Sequence, residues 1–241
     1  DHRDLHSLRR RQRQMCIRDS LSNIPVLNWS KLQFPGIRQE VLAQFSDPKI
    51  LIVTSSMLDV YNSADKVEYA AGNISADSQE LEIVGGTSTE AGNSWVYWNL
   101  PEAANKVYVR ATLNAVDARR IIIDLCNDDG STLSNPPDFY SLELIPETLT
   151  DRDLQLTKTI AGTRTIIDDP LKSLAHDTYY ILEFYCETGS VQRSWLDGSI
   201  VNEGGDTEIT SIWSVRFRVY DDSDTAAQSG KVKGPVVIIY E

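Results

Sequence analysis

The stretch that decides the fold is Thr178-Tyr-Tyr-Ile-Leu-Glu-Phe-Tyr-Cys-Glu-Thr-Gly-Ser-Val-Gln-Arg-Ser-Trp-Leu-Asp-Gly-Ser-Ile-Val201. It reads as a strand, a tight turn at Glu187-Thr188-Gly189-Ser190, a second strand, an Asp197-Gly198 turn and a third strand. The same grammar runs on both sides of it. Short apolar runs at 50–54, 67–71, 80–84, 95–100, 107–113, 120–126, 139–145, 154–159 and 163–167 precede it, and 212–220 and 236–240 follow. In Val107-Tyr108-Val109-Arg110-Ala111 and Val215-Arg216-Phe217-Arg218-Val219 apolar residues alternate with polar or bulky ones, the period of a strand with two unlike faces. Turn residues sit between the runs at Gly85-Gly86, Asn127-Asp128-Asp129-Gly130 and Gly204-Gly205. After residue 50 no stretch holds a 3.6-residue period long enough for a core helix; 63–71 comes nearest and Gly72-Asn73 ends it. The expectation is an all-β antiparallel sandwich of two sheets over 49–241, a size that buries roughly 70% of its unfolded surface without disulfides or metal.

Composition narrows the classes further. The chain has 241 residues, 41% of them hydrophobic, with 23 Lys and Arg against 35 Asp and Glu, a net charge of −12. That is too apolar for a disordered chain. No run of ~18 apolar residues exists to span a membrane as a helix. An acidic chain also lacks the positive face that nucleic acid demands.

Residues 1–20 stand apart. They carry six Arg and three Asp, a net +3, which leaves 17 basic and 32 acidic groups on the rest. A basic tail and a targeting segment are the ordinary readings, but the apolar stretch of a signal peptide is missing. Residues 9–20, RRRQRQMCIRDS, resemble translated sequencing-adapter read-through from metagenomic fragments. On that resemblance Arg9, Arg10, Arg11 and Arg13 are no binding patch, and the natural N-terminus is expected to be missing. Residues 21–48 follow as an arm broken by Pro25, Pro35, Gly36 and Pro48, with a short amphipathic helix expected at 37–45. Its Ile24, Val26, Leu27, Trp29, Leu32 and Phe34 are too many apolar residues for a solvated linker. Such an arm packs on its own domain, the commoner outcome, or docks on a neighbouring subunit.

The hairpin of residues 178–201 resembles those of laminin-G-like and concanavalin A-like jelly rolls, in which an aromatic-led strand runs into an Asp-Gly-x-x-Val turn. The resemblance extends over about 50–241, with 95–100, 107–113 and 120–126 as long central strands and 236–240 closing beside the first strand. One departure stands out: Thr178 and Tyr179 occupy the place of the usual tryptophan. The superfamily holds lectins, polysaccharide-cleaving enzymes, adhesion modules and structural proteins, so the resemblance implies a fold and leaves function to the site.

Candidate chemistry is sparse. Hydrolases of this fold carry Glu-x-Asp-x(x)-Glu on one strand face, and glycoside retention needs carboxyls ~5–5.5 Å apart. The nearest strings are Glu80-Leu81-Glu82, Glu143 by itself, and Glu183 with Glu187, which have Tyr185 midway. Solvated acids on an outer sheet face are the commoner reading of these. His176, the only His beyond residue 20, reads as a turn residue rather than a base. No enzyme is expected. Cys126 and Cys186 lack the spacing of a zinc site and are either buried small residues or a cross-sheet disulfide. Calcium is the candidate metal, at the acidic turns holding Asp128, Asp129, Asp221, Asp222 and Asp224, with solvated turns as the default. Trp98, Trp195 and Trp213 are candidate sugar-stacking rings, although aromatic residues in a sandwich are more often core. Trp95 and Trp98, three apart, face opposite ways, and Tyr97 lies opposite Trp98. Asn28 and Asn73 head glycosylation sequons.

The leading expectation is a non-enzymatic structural or adhesive subunit of an extracellular or virion-surface assembly. It would self-associate, as a filament for example, through the arm or through a sheet edge at the final strand. A lectin-like carbohydrate-binding module is the alternative, and a polysaccharide hydrolase or lyase the third.

Overall fold

Alternation along Lys106–Ala115 and Ile212–Tyr220 sends one row of side chains between two sheets and the other row away from them. The computed structural model describes residues 37–68, 73–85, 93–116, 120–128, 130–131, 138–146, 154–170, 174–220 and 228–241. Ile24, Val26, Leu27, Asn28, Trp29, Leu32 and Phe34 lie outside these residues, as do Asp129, Asp221, Asp222 and Asp224. The chain divides into a unit of residues 1–44 and a unit of residues 45–241. In the first, the helix expected over 37–45 is a single turn, α1 (Gln39–Leu42), with Val41 and Leu42 buried.

The second unit begins with β1 (Lys49–Thr54), α2 (Met57–Ser63), β2 (Asp65–Val67), β3 (Ile74–Ala76), β4 (Glu80–Val84), β5 (Ser94–Ala104), β6 (Lys106–Ala115) and β7 (Arg120–Cys126). It continues through β8 (Phe139–Leu144), β9 (Leu154–Ile160), β10 (Thr163–Asp168), β11 (Tyr180–Glu187), β12 (Val191–Leu196), β13 (Ser199–Gly204), β14 (Ile212–Tyr220) and β15 (Ser229–Tyr240). Among the described residues all pairings are antiparallel. One sheet has eight strands in the order β13-β12-β11-β6-β15-β4-β3, with β1 also paired to β15; the other has seven, β10-β9-β8-β7-β14-β5-β2. This is the concanavalin A-like jelly-roll sandwich that the hairpin resembles, and that hairpin forms β11, β12 and β13.

Four differences from the sequence reading have identifiable causes. Helix α2 went unread because only Met57 and Val60 face inward, too few to display a period; Ser56 caps it, accepting from the Asp59 amide at 3.3 Å. The strand expected at 67–71 begins earlier, at Asp65 directly after that helix, and Asp65–Val67 pairs with β5, while residues 69–71 lie outside the described residues. Strand β5 runs past Pro101 because its pairing with β14 shifts register between Asn99 and Ala104, so the proline falls where the ladder is interrupted. Strand β15 starts at Ser229, well before 236, and pairs with β4 through Ser229–Lys233 and with β1 through Val236–Tyr240. It is flanked on its other side by β6 and so is interior, which removes the final strand as an open edge for self-association. Between its halves Gly234 comes so close to Ser55 that a Cβ would stand 2.8 Å from the Ser55 Cα and carbonyl oxygen.

The core lies between the sheets, with Val109, Leu113, Phe184 and Ile238 on one side and Ile123, Leu125, Leu142 and Phe217 on the other. Trp98 meets Phe217 edge to face, ring centres 5.6 Å apart. Substituting Phe217→Ala should cost about 3–5 kcal/mol, from lost burial and a cavity that the two sheets cannot close. Urea unfolding followed by tryptophan fluorescence is the check, with a loss under about 1 kcal/mol speaking against this core arrangement.

Candidate functional site

The side chains of the seven-stranded sheet that point away from the core form a charged array. On β7 these are Arg120, Ile122, Asp124 and Cys126, and on β14 Ser214, Arg216, Arg218 and Tyr220, set against the core-facing residues. Register then brings together residues far apart in sequence. Asp124 stands beside Ser141 of β8 on one side and Arg216 of β14 on the other. The Ser141 hydroxyl donates to Asp124 Oδ1 at 2.6 Å, and Arg216 Nε donates to Oδ2 at 2.6 Å. Arg218, one pair further along, donates from Nε to Oδ2 at 2.9 Å and from Nη2 to Oδ1 at 3.3 Å. Asp124 and Arg216 have no solvent exposure. Burial alone would push the Asp124 carboxyl up, but the two guanidinium groups and the bonds from Arg218 and Ser141 outweigh it and hold the pKa at about 2.

A second carboxylate, Glu143 of β8, sits diagonally along the same face. It accepts from Arg120 Nη1 at 2.9 Å, from Arg164 Nε and Nη2 at 2.9 and 3.0 Å, and from the Thr157 hydroxyl at 2.9 Å. Arg164 also donates to Gln155 at 2.5 Å. Aromatic rings border both clusters. The Phe139 ring lies 4.8 Å from the Arg216 guanidinium carbon and 5.7 Å from that of Arg218, and Tyr220 lies 5.1 Å from that of Arg120. Tyr97 and Trp95 of β5 stand opposite Arg216 and Arg218 in register. The loop after β7 is pinned to this row: Trp95 donates to the Gly130 carbonyl at 2.7 Å, Asn99 accepts from the Gly130 amide at 3.1 Å, and Ser214 donates to the Asp128 carbonyl at 2.7 Å. Only glycine fits at 130, since a Cβ there would stand 2.7 Å from the Tyr97 ring.

The sequence candidates scatter by comparison. Trp98 is core and unavailable to a ligand; Trp195 is buried on the eight-stranded sheet opposite Glu183; Trp213, at 44% exposure, stands where β14 shifts register. Glu80 is tied to Tyr179, Lys231 and Lys233, and the Tyr179 hydrogen bond and the lysines bring its pKa to about 2 against the opposing effect of burial. Glu183 is buried and accepts from the Tyr108 hydroxyl at 2.6 Å, and Glu143 is buried too, so neither is the solvated acid expected on an outer face. His176 lies in an exposed turn. Asp128 is exposed, and among the described residues no group of three or more His, Cys, Asp or Glu is placed to hold a metal. Cys126 and Cys186 are both free and buried. A disulfide between them is precluded by direction: Cys186 points into the core, while Cys126 points out of the far side of the opposite sheet. Burial pushes the Cys126 thiol up to about 11. Asn73 is half-buried, its carbonyl accepting from the Val84 amide.

No family profile matches this sequence, and no curated protein sequence matches it. Solved structures do share the fold. A Crh5 transglycosylase in complex with NAG superposes with a TM-score of 0.55 at 11% identity, over 81% of this chain and 87% of that one. A native glycosidic hydrolase gives 0.54 at 12%, over 82% and 96%. The carbohydrate-binding module CBM66 from Bacillus subtilis gives 0.50 at 12%, over 80% and 95%. At such identities the likeness establishes the fold and transfers no catalytic residue. It nevertheless overturns the leading expectation of a non-enzymatic structural or adhesive subunit, because these neighbours are carbohydrate-directed proteins and favour the binding or hydrolytic alternatives.

The buried ion cluster has a measurable signature. Because the folded-state pKa of Asp124 is depressed, its contribution to stability is complete above the unfolded value of about 4 and drains away as pH falls toward about 2. Replacing Asp124→Asn should cost about 3–5 kcal/mol at pH 7, leaving two arginines without their counter-ion, and should flatten the acid side of the stability profile. Urea titrations of both proteins from pH 7 to pH 2.5 check this; parallel profiles would refute it.

Proposed function

We propose that the domain binds an oligosaccharide along the outer face of the seven-stranded sheet, as a lectin-like carbohydrate-binding module. The observation that carries this reading is the solvent-reaching part of that face, where Arg120 and Arg164 hold Glu143 beside the Tyr220 ring, while Asp124, Arg216, Trp95, Tyr97 and Phe139 are themselves buried. Sugars present hydroxyl groups around their edge and C–H surfaces above and below the ring. Charged groups in fixed positions bond the former and aromatic planes cover the latter. The shared fold with carbohydrate-directed proteins supports the same class of ligand.

Binding is favoured over hydrolysis because glycoside cleavage requires a carboxyl held protonated near neutral pH. Asp124 is held at about 2, and Glu143 already accepts from two arginines and a threonine. Asp124 is therefore not placed to hand over a proton. A glycan array, followed by calorimetric titration of the sugars it selects, tests the reading. The half-exposed Arg164 is the variant of choice: Arg164→Ala should weaken binding by about five- to twentyfold, the worth of one charge-assisted contact, with a small change in melting temperature. Absence of any glycan binding at millimolar concentration would defeat the proposal. Release of reducing ends from a bound glycan would instead favour the hydrolase.

A further inference from the structure

Strand β10 ends its sheet and pairs only with β9; among the described residues no other segment lies in its ladder. Thr163, Arg164, Thr165 and Ile166 are all exposed, the Ile166 side chain at 40%. The turn before them decides which backbone groups are left over. Ala161 and Gly162, at φ of 48° and 79°, make a two-residue hairpin loop whose flanking pair, Ile160 and Thr163, exchange both hydrogen bonds. Pairing alternates from there. Thr165 therefore bonds to Lys158, while the N–H and C=O of Arg164 and Ile166 point away from the sheet.

The other edges are protected. Strands β2 and β3 have three residues each. Strand β1 carries Lys49 and a bulge between Ile50 and Ile52. On β13 the Glu203 amide donates to Asp168 Oδ2 at 3.1 Å, and Asn202 Nδ2 donates to the Asp168 carbonyl at 3.5 Å. In contrast, Thr163-Arg164-Thr165-Ile166-Ile167 is β-branched at all but one position and contains neither lysine nor proline. Its single charge, Arg164, is countered by Glu143 at 2.9 Å. Copies of a chain at −12 repel one another, and a neutralised edge is where they approach at least cost.

The open stretch is bounded by the turn on one side and by a bulge between Ile166 and Asp168 on the other, so it fits a strand of its own length. A second copy supplies one. Centred on Thr165, Arg164 meets Ile166 of the second copy and Ile166 meets its Arg164, and the outward groups are matched in four hydrogen bonds. Setting Arg164 against Arg164 opposes like charges and halves the bonds; setting Ile166 against Ile166 draws the bulge into the ladder.

We propose that β10 pairs antiparallel with β10 of a second copy about a two-fold axis at Thr165, joining the two seven-stranded sheets into one continuous sheet. Each copy uses up the edge of the other, so the assembly closes as a dimer. The inference does not rest on the carbohydrate reading, and either stands without the other.

Sedimentation velocity of the full chain over about 1–300 μM tests this, with a monomer–dimer midpoint expected at about 10–100 μM for so small an interface. Ile166→Lys alters an exposed side chain and sets lysine against Arg164 of the second copy, so it should weaken the dimer about tenfold with little change in melting temperature. Thr165→Cys places two thiols directly opposite at the axis and should trap a disulfide-linked dimer under mild oxidation. The unaltered chain, which retains Cys16, sets the background. Should Ile166→Lys fail to fold, the cross-link decides by itself. A monomer at every concentration overturns the proposal, as does association that Ile166→Lys leaves unchanged or that grows beyond two copies. Cross-linking of Thr165→Cys no greater than background overturns it as well.

Discussion

A carboxylate in a dry sheet needs cations, and Asp124 has two. It sits on β7 between Ser141 of β8 and Arg216 of β14, so the bonds that satisfy it tie three adjacent strands into one register. A slip of one residue along β14 would turn Arg216 and Arg218 into the inter-sheet core and bring Phe217 and Val219 out. Both errors are expensive: uncompensated charge on one side, lost apolar burial on the other. The core and the charged array are therefore two consequences of the same alternation. Each penalises any displacement of the other.

Stability alone is a poor explanation for that array. A buried ion cluster recovers its desolvation cost only when every donor and acceptor is matched, and apolar residues of similar size often serve a fold as well. Here Asp124 and Glu143 are saturated with donors, whereas two buried nitrogens of Arg216 find no acceptor among the described residues. The imbalance is on the donor side, at nitrogens that solvent does not reach.

The sandwich itself is shared with a transglycosylase, a glycosidic hydrolase and a carbohydrate-binding module at 11 to 12% identity, so architecture does not separate cleaving from holding. The state of Asp124 bears on that distinction. An acid catalyst needs an environment that favours its neutral form, and at Asp124 two arginines favour the opposite one. That electrostatic setting supports recognition over proton transfer.

Much of the fold was legible in the chain by itself. Alternation, turn chemistry and β-branched runs place β4, β7, β12 and β14 at their observed bounds, because each is a local property of some five to nine residues. Parity also puts Trp95 and Tyr97 on the face opposite Trp98, and the structure has them there. Parity cannot say which of two faces meets the other sheet, so Trp98 was a candidate for sugar stacking until the core claimed it. One local signal did point toward the site: a lone acid inside Ile121-Ile122-Ile123-Asp124-Leu125-Cys126 must find a partner once that strand is buried on both faces. Its partners lie 17, 92 and 94 residues away. Strand order and register alone bring them within 3.3 Å, and those are decided by how the strands of the two sheets pack, which no local window of sequence contains.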